Sequence, residues 1–210
     1  MTQLKICGVT RASDATQIAR TGVEYLGINF WPRSKRHVTP ERAVEVAAAA
    51  RRAGGAQIVG VFVDATAGDI ADVLARVTLD IIQLHGRESP DEVRAIADAI
   101  GLPVWKALAI GSLADVDAIA HYTADAILLD TPTPGRGGSG RTFDWSLAQE
   151  ARRRDPSRRI VLAGGLAADN VGLAIASVEP WAVDVASGVE SAPGIKDPAK
   201  LAAFVSAARG

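Results

Sequence analysis

Short apolar runs recur along the whole chain, and each is followed by a polar loop and a segment with helical periodicity. Successive runs begin about 20 to 35 residues apart, which is roughly the length of one parallel βα unit. The eight runs are Leu4–Val9, Tyr25–Phe30, Gln57–Val63, Ile81–Gly86, Pro103–Ile110, Ala126–Thr131, Ile160–Gly165 and Ala182–Val189. This pattern predicts eight strands that alternate with helices.

The segments between the runs carry signals for helix ends. Caps, first-turn prolines and early acidic residues predict helix N-termini at Ser13-Asp14, Thr39-Pro40-Glu41, Ser89-Pro90-Asp91-Glu92 and Asp169-Asn170. Left-handed residues at helix C-termini are predicted at Gly22, Gly54 and Gly101.

Eight strand–helix repeats fit two architectures, an open doubly wound sheet and a closed barrel. The open sheet normally carries a G-x-G-x-x-G turn after its first strand, whereas this chain has Cys7-Gly8-Val9-Thr10-Arg11 there. We therefore predict an α/β fold, a single (β/α)8 TIM barrel with short loops. No linker rich in Pro, Gly or Ser interrupts the pattern, so residues 1–210 are predicted to form one catalytic domain.

The composition argues against several classes of partner. Hydrophobic residues make up 48% and charged residues 22% of the chain, and 23 basic residues face 24 acidic ones, for a net charge of −1. This balance predicts no nucleic-acid partner and no attraction to a membrane. The one cysteine cannot form an internal disulfide, and the first residues carry no signal segment. We expect a cytoplasmic enzyme.

Two strand ends carry side chains suited to proton transfer. Active sites of such barrels lie at the carboxyl ends of the strands, and alternation turns Lys5, Cys7 and Asp130 toward the interior. Taken singly, Cys7 is more often a buried core residue and Asp130 more often starts a turn. Their common location at one mouth favours a base and acid pair.

Glycines follow strands seven and eight, in Ala163-Gly164-Gly165-Leu166 and Ala186-Ser187-Gly188-Val189. Loops at these positions often bind phosphate through backbone N–H groups, although tight turns alone also explain the glycines. A third glycine-rich stretch, 135–140, has the composition of a mobile lid or of a plain surface loop.

Basic residues lie between strand two and its helix, in Pro32–His37. They form either a solvated loop or a carboxylate site, for which arginine is the best-shaped side chain. His85 ends strand four on the same side as Gln83 and borders the predicted mouth.

Ten motifs follow one another over essentially the whole chain. They are Lys5–Thr10, Ser34–Val38, Val59–Phe62, Gln83–Gly86, Leu128–Thr131, Gly137–Gly140, Phe143–Trp145, Leu162–Leu166, Val183–Glu190 and Gly194–Asp197. In type and order these motifs resemble the phosphoribosylanthranilate isomerase family of tryptophan biosynthesis. We see no departure at the catalytic positions of that family.

The resemblance implies an Amadori rearrangement of the phosphosugar N-(5-phosphoribosyl)anthranilate to 1-(2-carboxyphenylamino)-1-deoxyribulose 5-phosphate. In the family, the residue matching Cys7 is the general base, the one matching Asp130 is the general acid, and the one matching Arg36 holds the anthranilate carboxylate. The further implied substrate contacts are Asp184 with the sugar and the backbone of Gly164, Gly165, Ser187 and Gly188 with phosphate. The iminium intermediate stores the electrons transiently, so no cofactor and no metal is expected.

Several alternatives stay open at this point. A histidine-pathway phosphosugar isomerase runs the same type of reaction, but that family places an aspartate at the position of Cys7. A non-catalytic phosphosugar-binding barrel is the alternative outside the enzymes, and the intact catalytic residues argue against it. The chain is expected to be a monomer or a homodimer. Lys5 is placed either to favour the Cys7 thiolate or to pair with Asp184.

Overall fold

Eight parallel strands alternate with eight helices in the computed structural model, which describes residues 1–132 and 144–210. The strands are β1 (Gln3–Ile6), β2 (Tyr25–Asn29), β3 (Gln57–Phe62), β4 (Ile81–Leu84), β5 (Val104–Ala109), β6 (Ala126–Asp130), β7 (Ile160–Leu162) and β8 (Ala182–Val185). The helices are α1 (Ala12–Arg20), α2 (Pro40–Ala53), α3 (Ala67–Leu74), α4 (Pro90–Ile100), α5 (Leu113–Ala118), α6 (Trp145–Arg154), α7 (Val171–Val178) and α8 (Pro198–Arg209).

The sheet closes on itself, because β1 pairs with both β2 and β8. Lys5 lies opposite Tyr25 on one side and opposite Asp184 on the other. The predicted (β/α)8 TIM barrel is therefore confirmed. Seven of the eight predicted runs contain a strand, and the first overlaps β1, which begins one residue earlier. Each of these eight strands ends before its run does, because the last residues of the runs turn into the loops at the mouth.

Side-chain alternation separates two apolar clusters. Leu4, Ile6 and Leu129 pack between the strands and the helices, whereas Leu128 packs inside the barrel. The inner cluster ends in an aromatic floor in which Trp105 makes edge contacts with Tyr25 at 4.9 Å and Trp181 at 5.5 Å between ring centroids. These rings fill the amino-terminal end of the barrel, so the interior opens toward the carboxyl ends of the strands.

Most predicted helix ends match the structure, and two do not. The Thr39 side chain accepts a hydrogen bond from the backbone of α2, and Ser89 forms a capping box at α4. Gly54 has a φ of −175° and is not left-handed. A Cβ at that position would lie 2.3 Å from the Ala19 carbonyl oxygen, so close packing of α2 against α1 requires the glycine. Helix α1 begins at Ala12, without the side-chain cap predicted at Ser13.

A short antiparallel pair follows β8 and was not predicted. It consists of β9 (Glu190–Ala192) and β10 (Ile195–Lys196), after a 3-10 helix at Ser187–Val189. The predicted lid at 135–140 lies outside the described residues. Within the described part of the chain, no helix has the length and apolar character needed to cross a membrane.

Candidate active site

A cavity of about 370 Å³ opens at the carboxyl ends of the strands. Its size lies in the range of sites that enclose a small ligand. Cys7 and Asp130 both line it, and the other predicted site residues that line it are Arg36, His85, Gly164, Gly165, Asp184 and Ser187. One opening thus brings together eight of the nine predicted site residues.

The ninth predicted site residue, Gly188, lies behind this surface. A Cβ at Gly188 would be 2.1 Å from the Leu166 carbonyl oxygen, so the loops after β7 and β8 touch at this point. The glycine therefore permits the two loops to pack together, beside Gly165 and Ser187 on the cavity wall.

The Cys7 thiol lies directly after β1, above a buried ion pair. Lys5 Nζ lies 3.0 Å from Asp184 Oδ1 on the neighbouring strand. Burial raises the pKa of Cys7, while the charge of the Lys5 ammonium lowers it and that of the Asp184 carboxylate raises it. The space for the thiol comes from Gly27 on β2, since a Cβ there would lie 2.8 Å from Sγ.

Arg36 is held by a carboxylate that the sequence did not point to. Its Nε and Nη2 donate to Glu190 at 2.8 and 2.6 Å, in a bidentate pair. Lys196 donates to the same carboxylate at 2.9 Å and to the Cys7 carbonyl oxygen at 2.6 Å. Burial alone would raise the pKa of Glu190, but the bonds from Arg36 and the charge of Lys196 outweigh it, and the pKa is lowered.

Asp130 ends β6 in contact with two neighbours. The Thr131 backbone N–H donates to Oδ1 at 2.7 Å, and His85 Nε2 lies 3.3 Å from Oδ2. The Gln83 amide nitrogen lies 2.8 Å from His85 Nδ1. An amide nitrogen can only donate, so His85 Nδ1 accepts this hydrogen bond and carries no proton. The proton of the imidazole is then on Nε2, which faces Asp130. His85 therefore orients the carboxyl group from across the mouth.

The loop after β7 offers backbone donors to an anion. Gly164 and Gly165 have φ values of 80° and 67°, which favour glycine. Neither N–H group donates a hydrogen bond to any other residue in the described ranges. The Asn170 side chain fixes the loop by accepting from the Ala167 N–H and donating to the Gly165 carbonyl oxygen. Two glycines on the cavity wall thus have N–H groups without a partner among the described residues, as in barrel phosphate sites.

A second cavity, of about 440 Å³, lies outside the barrel between α3 and α4. Glu88 lines it and is already bound to Lys106 at 2.7 Å. No cysteine or histidine lines this second cavity. We therefore place the chemistry in the mouth of the barrel.

These features define a class of protein. A thiol and a carboxyl share one ligand-sized opening, with an arginine on one side and unpaired N–H groups on the other. Such an arrangement is typical of a (β/α)8-barrel enzyme that moves protons on a small anionic molecule.

Comparisons with known proteins identify the family within this class. The sequence model of N-(5'-phosphoribosyl)anthranilate (PRA) isomerase matches residues 4–207. The N-(5'-phosphoribosyl)anthranilate isomerase of Paramagnetospirillum magneticum is 45% identical, over 99% of this chain and 97% of the relative. The chain belongs to the N-(5'-phosphoribosyl)anthranilate isomerase family.

Solved structures agree with this assignment. The phosphoribosyl anthranilate isomerase of Thermotoga maritima is 41% identical, with a TM-score of 0.91 over 100% of both chains. A second phosphoribosyl anthranilate isomerase, 38% identical with a TM-score of 0.87 over 100% of both chains, was solved in complex with reduced 1-(o-carboxyphenylamino)-1-deoxyribulose 5-phosphate. The family resemblance found in the sequence is thereby confirmed.

Proposed function

We propose that Cys7 and Asp130 carry out the reaction of this family in this chain, as general base and general acid. The chain is an isomerase of tryptophan biosynthesis that converts N-(5'-phosphoribosyl)anthranilate to 1-(2-carboxyphenylamino)-1-deoxyribulose 5-phosphate. The observation that carries the assignment of roles is that the thiol and the carboxyl face one cavity of ligand size.

Asp130 starts the reaction at the furanose ring oxygen. An alkoxide is a poor leaving group, so the ring opens only if this oxygen receives a proton as its bond to C1 breaks. Asp130 delivers that proton, and the amine nitrogen supplies the electron pair that forms the iminium. Oδ1 is occupied by the Thr131 N–H, so Oδ2, beside His85, is the oxygen available for the proton.

Cys7 completes the rearrangement at C2. The iminium makes the C2 proton acidic, and the Cys7 thiolate removes it. The electron pair of the C–H bond forms the C1–C2 double bond, and the π pair of the iminium returns to the nitrogen. The resulting enol tautomerises to the aminoketone as C1 gains a proton and the C2 hydroxyl loses one. Reactant and product are isomers, so these steps require no external oxidant or reductant.

The rest of the cavity suits the two anionic ends of the substrate. Arg36 lies at one end with Nε and Nη2 bound to Glu190, which leaves Nη1 for the anthranilate carboxylate. The backbone of Gly164, Gly165 and Ser187 binds phosphate at the other end. His85 and Asp184 line the wall between them and contact the sugar.

We further propose that residues 1–210 act as one catalytic domain in the cytoplasm. A reducing compartment keeps the Cys7 thiol free, and the chain has no other cysteine with which to pair. The choice between monomer and homodimer, which sedimentation velocity measures, stays a prediction.

A fluorescence assay tests the proposed roles. The enzyme is mixed with freshly made phosphoribosylanthranilate, and the decay of the anthranilate-type fluorescence is recorded. The native chain should consume the signal, and Cys7→Ser and Asp130→Asn should each lower kcat by about 10² to 10⁴ while still binding the product. Near-normal activity of either variant would remove that residue from the mechanism. Comparable turnover of the histidine-pathway substrate would contradict the assignment to tryptophan biosynthesis.

A further inference from the structure

Lys5 lies beneath the mouth, and the steps above give it no part. Its side chain is fully buried, and its ion pair with Asp184 at 3.0 Å has an angle unsuited to a hydrogen bond. Within the described residues, neither Nζ nor Asp184 Oδ1 has another hydrogen-bond partner. Burial of such a pair costs free energy, because both charges lose their hydration. Stability alone therefore does not explain why a lysine lies here.

Lys5 Nζ approaches the same point on β2 as the Cys7 sulfur. A Cβ at Gly27 would lie 2.8 Å from Sγ and 3.2 Å from Nζ. The two atoms are therefore at most about 6 Å apart, a distance at which an opposite charge favours the ionised form of its neighbour. The missing side chain of Gly27 leaves room for both.

With Asp130 and His85 left out of the count, the charged side chains around the thiol leave one positive charge in excess. They are Lys5 on β1, Asp184 on β8, Arg36 before α2, Glu190 on β9 and Lys196 on β10, with His85 and Asp130 farther around the barrel. Asp184 balances Lys5, whereas Glu190 faces both other cations. A thiolate at Cys7 brings this local sum to zero. Burial still keeps the pKa of the thiol above its ordinary value, and the charges of Lys5 and Lys196 oppose that rise.

We propose that Lys5 is a positioning residue for the general base: its ammonium stabilises the Cys7 thiolate, and Asp184 holds Lys5 beneath it. The inference rests on the proposed role of Cys7. The thiolate takes the C2 proton and becomes a thiol, while Lys5 stays protonated throughout. Removal of the Lys5 ammonium should therefore raise the pKa of Cys7. Removal of the Asp184 carboxylate, whose charge opposes the thiolate, should lower it.

Alkylation of Cys7 by iodoacetamide tests this coupling without turnover, because the chain has one cysteine. The rate as a function of pH reports the thiolate fraction. Lys5→Met should slow alkylation near pH 7 at least about tenfold, one pKa unit. Its kcat should fall similarly and recover at higher pH, with little change in KM. Asp184→Asn should speed alkylation, since Lys5 remains without its opposing carboxylate.

Lys106→Met is the matched control. Lys106 is also buried and paired with a carboxylate, Glu88 at 2.7 Å, but it does not line the cavity. This variant should lose stability and keep the alkylation profile of the native chain. A common loss of packing would instead change the alkylation rate in the same direction in both lysine variants.

Unchanged alkylation in Lys5→Met, or slower alkylation in Asp184→Asn, would overturn the inference. If circular dichroism shows that Lys5→Met does not fold, the Asp184→Asn profile decides, and a rate equal to or below that of the native chain refutes the coupling. Near-normal turnover by Cys7→Ser would refute the role of Cys7 instead. The alkylation series separates these two failures.

Discussion

Gly27 offers a sharp test of the site, because one added methyl group would meet the base and its counterion together. A Cβ at this position would lie 2.8 Å from Cys7 Sγ, 3.1 Å from Cys7 Cα and 3.2 Å from Lys5 Nζ. Gly27 is in the middle of β2 and does not have a positive φ, so Gly27→Ala meets a steric and not a backbone obstacle. The sulfur can rotate, but the Cα lies directly after β1, where the Cys7 N–H donates to the Val185 carbonyl oxygen at 2.8 Å, and it cannot move alone.

The magnitudes decide the sign of the stability change. Extra volume in a well-packed core costs about 1–3 kcal/mol, whereas replacing glycine gains about 0.4–1 kcal/mol through the unfolded chain. At the middle of both ranges the net loss is about 1.3 kcal/mol, or roughly 3–5 °C in Tm for a domain of this size. A base displaced by about 1 Å should lower kcat about 10²-fold.

Fluorescence decay and thermal unfolding measure the two effects of Gly27→Ala. Gly68→Ala, in the first turn of α3, is the control, because its Cβ would meet Thr66 Oγ1 at an ordinary 3.6 Å. The control should keep native kcat and a Tm equal to or above that of the native chain. If Gly27→Ala retains kcat within about twofold, the sulfur does not act from the observed position.

Three further substitutions test the charged groups. Arg36→Ala should raise KM at least about tenfold and leave kcat little changed in steady-state kinetics, because Arg36 binds the substrate carboxylate equally in ground and transition states; a lowered kcat at native KM would contradict this role. Glu190→Gln leaves two cations without their carboxylate and should cost up to about 3 kcal/mol in denaturant unfolding; native stability would show that solvent already balances them. Glu150 donates no stability once protonated: Arg153 and Arg154 lower its pKa from 4.5 to about 2, so the Tm difference between native chain and Glu150→Gln should be present above pH 4.5 and fade as pH falls toward 2. A difference that grows on acidification would contradict this sign.

The barrel was predictable because parallel strands buried on both faces appear as apolar runs. The period of two along β1 and β6, which turns Lys5 and Asp130 inward, agrees with the observed packing of Leu4 in the outer cluster and Leu128 in the inner one. The pair β9–β10 escaped prediction since its strands have three and two residues, too few for any period to show. At Gly54 the sequence predicted a left-handed residue at the end of a helix. The structure shows that a glycine is needed there for another reason, the close contact with α1.

The site was predictable where side chains stand on strand ends and less so where loops supply the partners. Arg36 and Glu190 are 154 positions apart and both lie outside β1–β8, so no local period links them. Gly27 carried a usable signal, since glycine inside a strand indicates a close approach. Which atoms approach it depends on the register between β1 and β2, which the runs alone leave undetermined.

Two buried lysine–carboxylate pairs differ in how many hydrogen bonds they make. This difference separates an ion pair that stabilises the fold from one that can act on the catalytic base. Lys106 Nζ donates to Glu88 at 2.7 Å and to the Gly86 carbonyl oxygen at 2.9 Å, and Glu88 accepts the Asp64 N–H at 2.9 Å. These bonds replace the lost hydration and fix the loop after β4. Lys5 is equally buried, but among the residues that the structure describes it has only a charge contact and no such bonds. The N–H groups of the Lys5 ammonium are therefore available to stabilise a negative charge on Cys7. Lys106 cannot do this, because it lies on the outer face of β5.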